Sequence, residues 1–256
     1  MNSTLDLIEN RRSVRVYADT PLTQGEKDAI LHAAMRAPTA GNMMLYTIIE
    51  VEEPALKEKL AETCDHQPFI AKAPYLLLFL ADYQRWLDYY QISGVEERCR
   101  ELGRTPRNPG VGDLLLACCD ALIAAQNAVL AAESIGIGSC YIGDILENYE
   151  IHRELFDLPR YTLPITLLCF GHPRTEAGQK RKTTRFEKQF VVHPNHYRRL
   201  SASELLEMFA ENEALDGGHF IDGAKNFGQH TYFRKFIADF SFEMNRSVAE
   251  MIRNWR

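Results

Sequence analysis

Residues 113–134 form a helix-length stretch that is apolar on nearly every side, interrupted by Asp120, Gln126 and Asn127. A helix without a polar face must be covered around most of its circumference, so this chain has to supply a sheet or a second subunit to lie against it. The three polar breaks speak against a lipid cover. Material for a sheet is present. Residues 75–80 and 165–170 are apolar runs of strand length, the pattern of central strands buried on both faces. Residues 45–51 combine β-branched and aromatic side chains and stop at Glu53-Pro54, which reads as a further strand. Gly136, Gly138 and Gly143 bracket the short segment Ser139-Cys140-Tyr141-Ile142.

Helices are expected between these runs. Thr23-x-x-Glu26 is a capping box ahead of Ala29, Ile30, Ala33 and Ala34, and Pro38 ends that helix. A charged helix is expected over 55–63. Residues 83–112 are polar and aromatic with Pro106, Pro109, Gly110 and Gly112, and predict an irregular surface excursion. Beyond Phe186 the pattern changes to a strand-like stretch at 190–192, a capped helix at Ser201-x-x-Glu204, a glycine-dotted loop over 216–228 and a C-terminal helix over 232–255. That tail is too thinly apolar to fold alone, so it is expected to pack on the core or embrace a partner chain. The expected organisation is therefore a core of residues 1–185 and an extension of residues 186–256.

Composition removes several function classes. The 256 residues carry 29 Lys and Arg against 35 Asp and Glu, a net charge of −6, which argues against bulk nucleic-acid binding. The first twenty residues hold no apolar signal core, and with no membrane span read elsewhere the expectation is a soluble, cytoplasmic protein. The six cysteines include no C-x-x-C pair; Cys118-Cys119 reads as packing, and Pro194 keeps His193 and His196 off a shared helix face, so no metal site is expected. Gly136-x-Gly138 fails the dinucleotide-binding pattern, and the segment 218–225 fails the P-loop at Ala224 and Asn226. No G-x-S-x-G elbow occurs.

What remains is cationic. Arg11-Arg12-Ser13-Val14-Arg15 concentrates three guanidinium groups and a hydroxyl, the donors that grip a phosphomonoester, and extended backbone would turn Arg11, Ser13 and Arg15 to one side. A second basic cluster spans residues 180–185.

Arg11-x-Ser13-x-Arg15, then Ala37-Pro38-Thr39-Ala40-Gly41-Asn42, then Gly136-x-Gly138-Ser-Cys-Tyr-Ile-Gly143, in that order, resemble the FMN-dependent nitroreductase superfamily. The stretch Phe186-Glu-Lys-Gln-Phe-Val-Val-His193-Pro-Asn-His-Tyr197 looks like the branch of oxygen-insensitive NADPH nitroreductases and bacterial flavin reductases. The resemblance implies an α+β three-layer sandwich, a central, mostly antiparallel sheet flanked by helices. It also implies an intertwined homodimer with FMN at the subunit interface and C-terminal segments around the partner. Arg11, Arg12, Ser13 and Arg15 would then contact the FMN phosphate and ribityl, Arg15 also reaching the N1/O2 edge. Gln67 and Asn42 would approach the isoalloxazine ring, beside Tyr141 and Ile142. The backbone of Gly143 and Asp144 would face N5 and O4, and Arg181 and Arg185 would complete the phosphate site.

No catalytic side chain is implied. NADPH or NADH would reduce the flavin at N5, and a small electron-poor acceptor such as a nitroaromatic or quinone would take the electrons in a ping-pong cycle. A flavin or enone reductase, or a flavin-binding module without turnover, is the other reading of the same scaffold. Two departures stand out. Asn42-Met43-Met44-Leu45-Tyr46 replaces Asn-x-Gln-Pro-Trp and makes that wall more apolar. Asp144 replaces a small residue and is expected to add negative charge at the pocket rim.

Overall fold

In the computed structural model, which describes residues 3–174, 183–215 and 220–255, four strands form one sheet. They are β1 (Tyr46–Glu50), β2 (Tyr75–Asp82), β3 (Gly138–Ile142) and β4 (Thr162–Gly171), in the order β1-β2-β4-β3 with every neighbouring pair antiparallel. The helices are α1 (Ser3–Asn10), α2 (Gln24–Met35), α3 (Pro54–Thr63), α4 (Phe69–Lys72), α5 (Gln84–Ile92), α6 (Val95–Glu101), α7 (Val111–Ser134) and α8 (Tyr149–Leu155). There follow α9 (Lys188–Val191), α10 (Ala202–Leu215), α11 (Phe227–Thr231) and α12 (Asp239–Trp255). The α+β class and the antiparallel sheet are as expected from the sequence.

β2 is buried along its whole length, and its alternate side chains feed two different cores. Tyr75, Leu77 and Phe79, with Leu168 and Phe170 of β4, pack against Ile30 and Ala34 of α2 and the inner face of α7. Leu76, Leu78 and Leu80, with Leu167 and Cys169, pack against Leu60 of α3 and Ile70 of α4. Helices therefore cover both faces of the sheet, which makes three layers. The register slips by one residue opposite Phe79 and Leu80, next to Pro164, a residue that cannot donate to the ladder.

α7 approaches the sheet through alanines: Ala121, Ala124, Ala125, Ala128 and Ala132 are all fully buried. It is long and apolar enough to cross a bilayer, but its inner face is occupied by the sheet and α2. Its outer face leaves Leu115, Leu116, Leu122 and Ile123 exposed. Cys118, half-buried, packs against a core cluster as expected, but Cys119 is exposed, so only one of the pair is a packing element.

One buried carboxylate ties α7 to the loop before β1. Asp120 accepts from the Thr39 hydroxyl, from the Ala40 N–H at 2.9 Å and from the Leu45 N–H at 3.1 Å. Between those anchors Gly41, Asn42 and Met44 all take left-handed backbone angles, with φ of 57°, 58° and 50°.

Three local expectations are corrected. Residues 83–112 are not irregular throughout: Trp86, Leu87, Tyr89 and Tyr90 recur at helical spacing in α5, and Gly94, at φ 68°, separates α5 from α6. Trp86 Nε1 donates to Met43 O at 2.8 Å. Residues 190–192 are not a strand; Lys188–Val191 make one helical turn with only Phe190 buried. The C-terminal helix is interrupted, because Tyr232–Phe236 form a π-turn closed by an Ile237 N–H bond to Tyr232 O at 3.1 Å, and α12 starts only at Asp239.

The chain divides into two compact units: Met1–Lys180 with Glu243–Arg256, and Arg181–Phe242. The sequence drew a single boundary, at 185/186; the contacts instead group the last fourteen residues with the first unit, where Met251 and Trp255 enter a third core cluster with Leu114, Tyr149 and Tyr161. Trp255 Nε1 donates to Gly110 O at 3.1 Å. Arg246 forks onto Glu150 at 2.8 and 2.7 Å and onto Glu243 at 2.9 and 2.8 Å. In the second unit Phe209 meets Phe186 edge-on at 5.1 Å and lies 6.2 Å from Phe227.

Asp120→Ala strands two backbone N–H groups and a hydroxyl, and should cost about 3–5 kcal/mol in chemical denaturation. The Arg246 guanidinium holds Glu150 down to about 2. A folded pKa below the ordinary 4.5 contributes stability at higher pH that is lost as pH falls from that value towards about 2. Glu150→Gln should therefore be less stable than the parent at neutral pH, and the difference should vanish in acid, as read from denaturation midpoints across pH.

Candidate functional site

The segment after α1 covers the free edge of β3. Ser13 bridges Ser139 in parallel, the Val14 N–H donates to Ser139 O at 2.8 Å, and the Ala18 N–H donates to His172 O at 2.9 Å. Two glycines make that approach possible. A Cβ on Gly138 would stand 2.5 Å from Val14 Cγ2, and one on Gly171 would stand 2.6 Å from Tyr17 Cδ1. Tyr17 is buried there, its hydroxyl donating to Val14 O at 2.8 Å.

With Val14 and Tyr17 turned to the sheet, Arg12, Ser13 and Arg15 are exposed and Arg11 is half-exposed. Among the described residues no carboxylate forms an ion pair with Arg11, Arg12 or Arg15. Their field is nevertheless felt. Burial pushes the Glu133 carboxyl up and Arg11 draws it down, while the Ser139 hydroxyl donates to it at 3.4 Å. Burial likewise pushes up the Cys140 thiol, against Arg15, the Ser13 hydroxyl and Arg11. The Arg15 guanidinium lies 5.8 Å from the centre of the Phe69 ring.

Phe69 stands two residues after Gln67, and Gln67 reaches across to the end of β3. Its Nε2 donates to Asp144 Oδ2 at 2.7 Å and to Cys64 O at 3.0 Å. Both amide protons are thereby used, so Gln67 offers an outside partner only its carbonyl oxygen. Gly143 and Asp144 open a 3-10 turn, Asp144–Leu146, and neither N–H meets an acceptor among the described residues. A Cβ on Gly143 would meet nothing within 4 Å. With φ at −78° and open space around it, nothing in the fold itself demands glycine there.

The structure lays Ser13 and Val14 beside the start of β3, with Arg11, Arg12 and Arg15 flanking them, and places Gly143, Asp144 and Gln67 just past the strand's other end, with Tyr141 on the strand between. Ile142 arrives as backbone only, since its side chain is buried in the core. Tyr141 is half-buried, donates to Gln126 Oε1 at 3.2 Å and is pushed up to about 12 by burial. Asn42 is not gathered. It precedes β1, at the opposite edge of the sheet, some three strand spacings or roughly 14 Å across. Arg185 belongs to the second unit, exposed, its Nη1 donating to Thr184 O at 2.8 Å. Arg181 lies outside the described residues.

Two neighbours escaped the sequence reading. Phe69 is hidden in an ordinary helical pattern. Glu147 is buried at 5% exposure, and burial and the Asp144 and Asp65 carboxylates push it up to about 7. The spacing Asp144-x-x-Glu147 was the available signal.

Residues 8–172 match the model of the Nitroreductase family. The chain belongs to the nitroreductase family. Members similar to it include an FMN reductase (NADPH) of Bacillus subtilis, 34% identical over 197 residues, 77% of this chain and 75% of that one. An oxygen-insensitive NADPH nitroreductase of Salmonella typhimurium is 33% identical over 214 residues, 84% of this chain and 82% of that one. Among solved family structures, NfrA1 of B. megaterium superposes with a TM-score of 0.80 at 26% identity, covering 98% of each chain. The fold also matches an NADPH:FMN oxidoreductase of Vibrio harveyi, at a TM-score of 0.79 and 23% identity over 98% of each chain.

Gly138→Ala should lift residues 13–15 off β3, lowering the melting temperature and weakening binding of a phosphomonoester without altering any charge. Gly143→Ala should leave the melting temperature of the ligand-free protein unchanged. Thermal scans paired with titration calorimetry separate the two.

Proposed function

We propose that this chain is an FMN-dependent oxidoreductase that passes two electrons from NAD(P)H to a small electron-poor acceptor, a nitroaromatic or a quinone, in a ping-pong cycle. The observation that carries the reading is the set of Arg11, Arg12 and Arg15, in no ion pair with a carboxylate among the described residues, held with Ser13 against β3 a few residues from two backbone N–H groups that meet no acceptor among those residues. A cationic cluster of this kind suits an anion, and the N–H groups of Gly143 and Asp144 suit the polar edge of a flat ring. The names of the FMN reductase and NADPH nitroreductase relatives supply FMN and NADPH as the matching chemistry.

In this assignment Arg11, Ser13 and Arg15 take the phosphate and ribityl, with Arg12 beside them and Arg181 and Arg185 as further phosphate donors. Gln67 accepts from the ring through its free carbonyl. Tyr141 and the Ile142 backbone line the slot, and Gly143, with room for no side chain once the ring is in place, lets the backbone approach. Bound FMN supplies the electron transfer, receiving hydride from the nicotinamide and releasing two electrons to the acceptor. The protein's share is position and field: the guanidinium groups favour negative charge at the site.

The functional unit is a homodimer. Asn42 stands off the far edge of the sheet and joins the site only if a second copy supplies it. The exposed Leu115, Leu116, Leu122 and Ile123 on α7, with Leu5 and Ile8 on neighbouring α1, form an apolar face of the kind a second subunit covers. The cytoplasm, where reduced nicotinamides are kept, is its place of action.

The purified protein should be yellow and should bleach anaerobically with NADPH or NADH; a colourless protein that takes up no added FMN would overturn the reading. Arg15→Ala should weaken FMN binding by about one to two orders of magnitude, the loss of one charge-assisted bond of roughly 1.5–3 kcal/mol, as read by fluorescence titration.

A further inference from the structure

The 3-10 turn after β3 ends on a carboxyl with nowhere to put its charge. In such a turn side chains three apart eclipse, and the Glu147 N–H donates to Asp144 O at 3.0 Å, so the two carboxyl groups stand on the same side. The Asp144 carboxylate is, after burial, the largest influence pushing the Glu147 carboxyl up. Glu147 is 5% exposed, and its Oε1 is buried without a donor facing it.

The charged groups whose field shifts Glu147 are all carboxylates. Asp65, between α3 and α4, and Glu243, on α12, add like charge, and the Cys64 thiol is buried beside them. The His152 ring on α8 is fully buried, bonded to the Thr63 hydroxyl at 2.8 Å and to Ile145 O at 3.0 Å, and burial disfavours its charged form. The cation on α12, Arg246, is taken up by Glu150 and Glu243. The one amide donor at hand, Gln67, is on Asp144. Two ionised carboxylates in contact, with a single amide between them and no cation, cannot both persist.

We propose that Asp144 and Glu147 hold one proton between them and that this pair is the proton donor of the site described above. The inference rests on the flavoenzyme reading. During acceptor reduction the pair's shared proton leaves through Asp144, partly exposed at the rim, to the acceptor atom left negative by hydride transfer, and Glu147, buried beneath, is the other holder of that proton. The acceptor receives both electrons and one hydrogen as hydride and its second hydrogen as the pair's proton; the pair goes from one negative charge to two and returns to one by taking a proton from water, so each two-electron turnover consumes one proton. Asp144 is the catalytic residue; Glu147 is a positioning residue that acts through it. The expectation that Asp144 adds a full negative charge to the rim is thereby revised: at neutral pH the charge is shared with Glu147 and one proton is retained.

The proton is directly observable without cofactor. Carbon-13 NMR of side-chain carboxyls in the FMN-free protein should show one group titrating at about 7. That titration should be lost in Glu147→Gln and moved to lower pH in Asp65→Asn, a change suited to the exposed left-handed position of Asp65 at φ 55°. In the FMN-loaded enzyme, acceptor reduction should fall as pH rises through the same midpoint. Glu147→Gln should be slower by about a hundredfold at neutral pH and lose that limb. Asp65→Asn should carry the limb down with the titration, and tests the pair even where Glu147→Gln does not fold. A carboxyl spectrum with no group titrating above the usual range overturns the pair. A pH limb that stays put in these variants overturns its role as donor. Failure to bind FMN sinks the parent reading and the delivery step, and is told apart because the titration in the FMN-free protein is untouched.

Discussion

Neither face of β2 or β4 can meet water, and most of the architecture follows from that constraint. A sheet whose two middle strands carry Leu, Phe and Tyr on alternate sides needs a helical layer above and another below. The upper layer comes close because α7 presents alanines, and it stays in register because Asp120 is bonded to the loop that leads into β1. With both faces used, the only place left for polar, ligand-directed groups is the sheet's edge and the turns leaving it. The cationic segment lies at one of those edges, laid along β3.

Small residues decide how that edge works. Gly138 and Gly171 are absences of side chain that let Val14 and Tyr17 dock, and docking fixes where Arg11, Ser13 and Arg15 emerge. Gly143 is a different case, with open space around it that the protein's own atoms do not fill. Two glycines serve the fold, and the third is not required by it.

Much of this was legible in the chain. The strands at 75–80 and 165–170, the capped α2 and the coverage demanded by α7 follow from period and composition alone, and the order of the Arg, Gly and Asn motifs is enough to suggest the family. What was not legible depends on three dimensions. The helices α5 and α6 were masked by their own polar residues and by Pro106, Pro109 and the glycines that follow them. Gln67 could be placed near the ring, but not its two donors, which are already spent on Asp144 and Cys64. Asn42 reads as a neighbour of the arginines in sequence logic, yet β1 and β3 are opposite edges of the sheet. Glu147 went unmarked in the sequence reading, and it is burial and the company of Asp144 that set it apart.

The helix that carries Met251 and Trp255 is the last piece of a core whose other parts, from Leu45 to Leu163, are made much earlier. Between them the ribosome must produce the whole of the second unit. Throughout that interval Tyr149, Tyr161 and the start of α7 wait with their apolar surface uncovered, so nascent chains of this protein present a hydrophobic gap that closes only once α12 has been made.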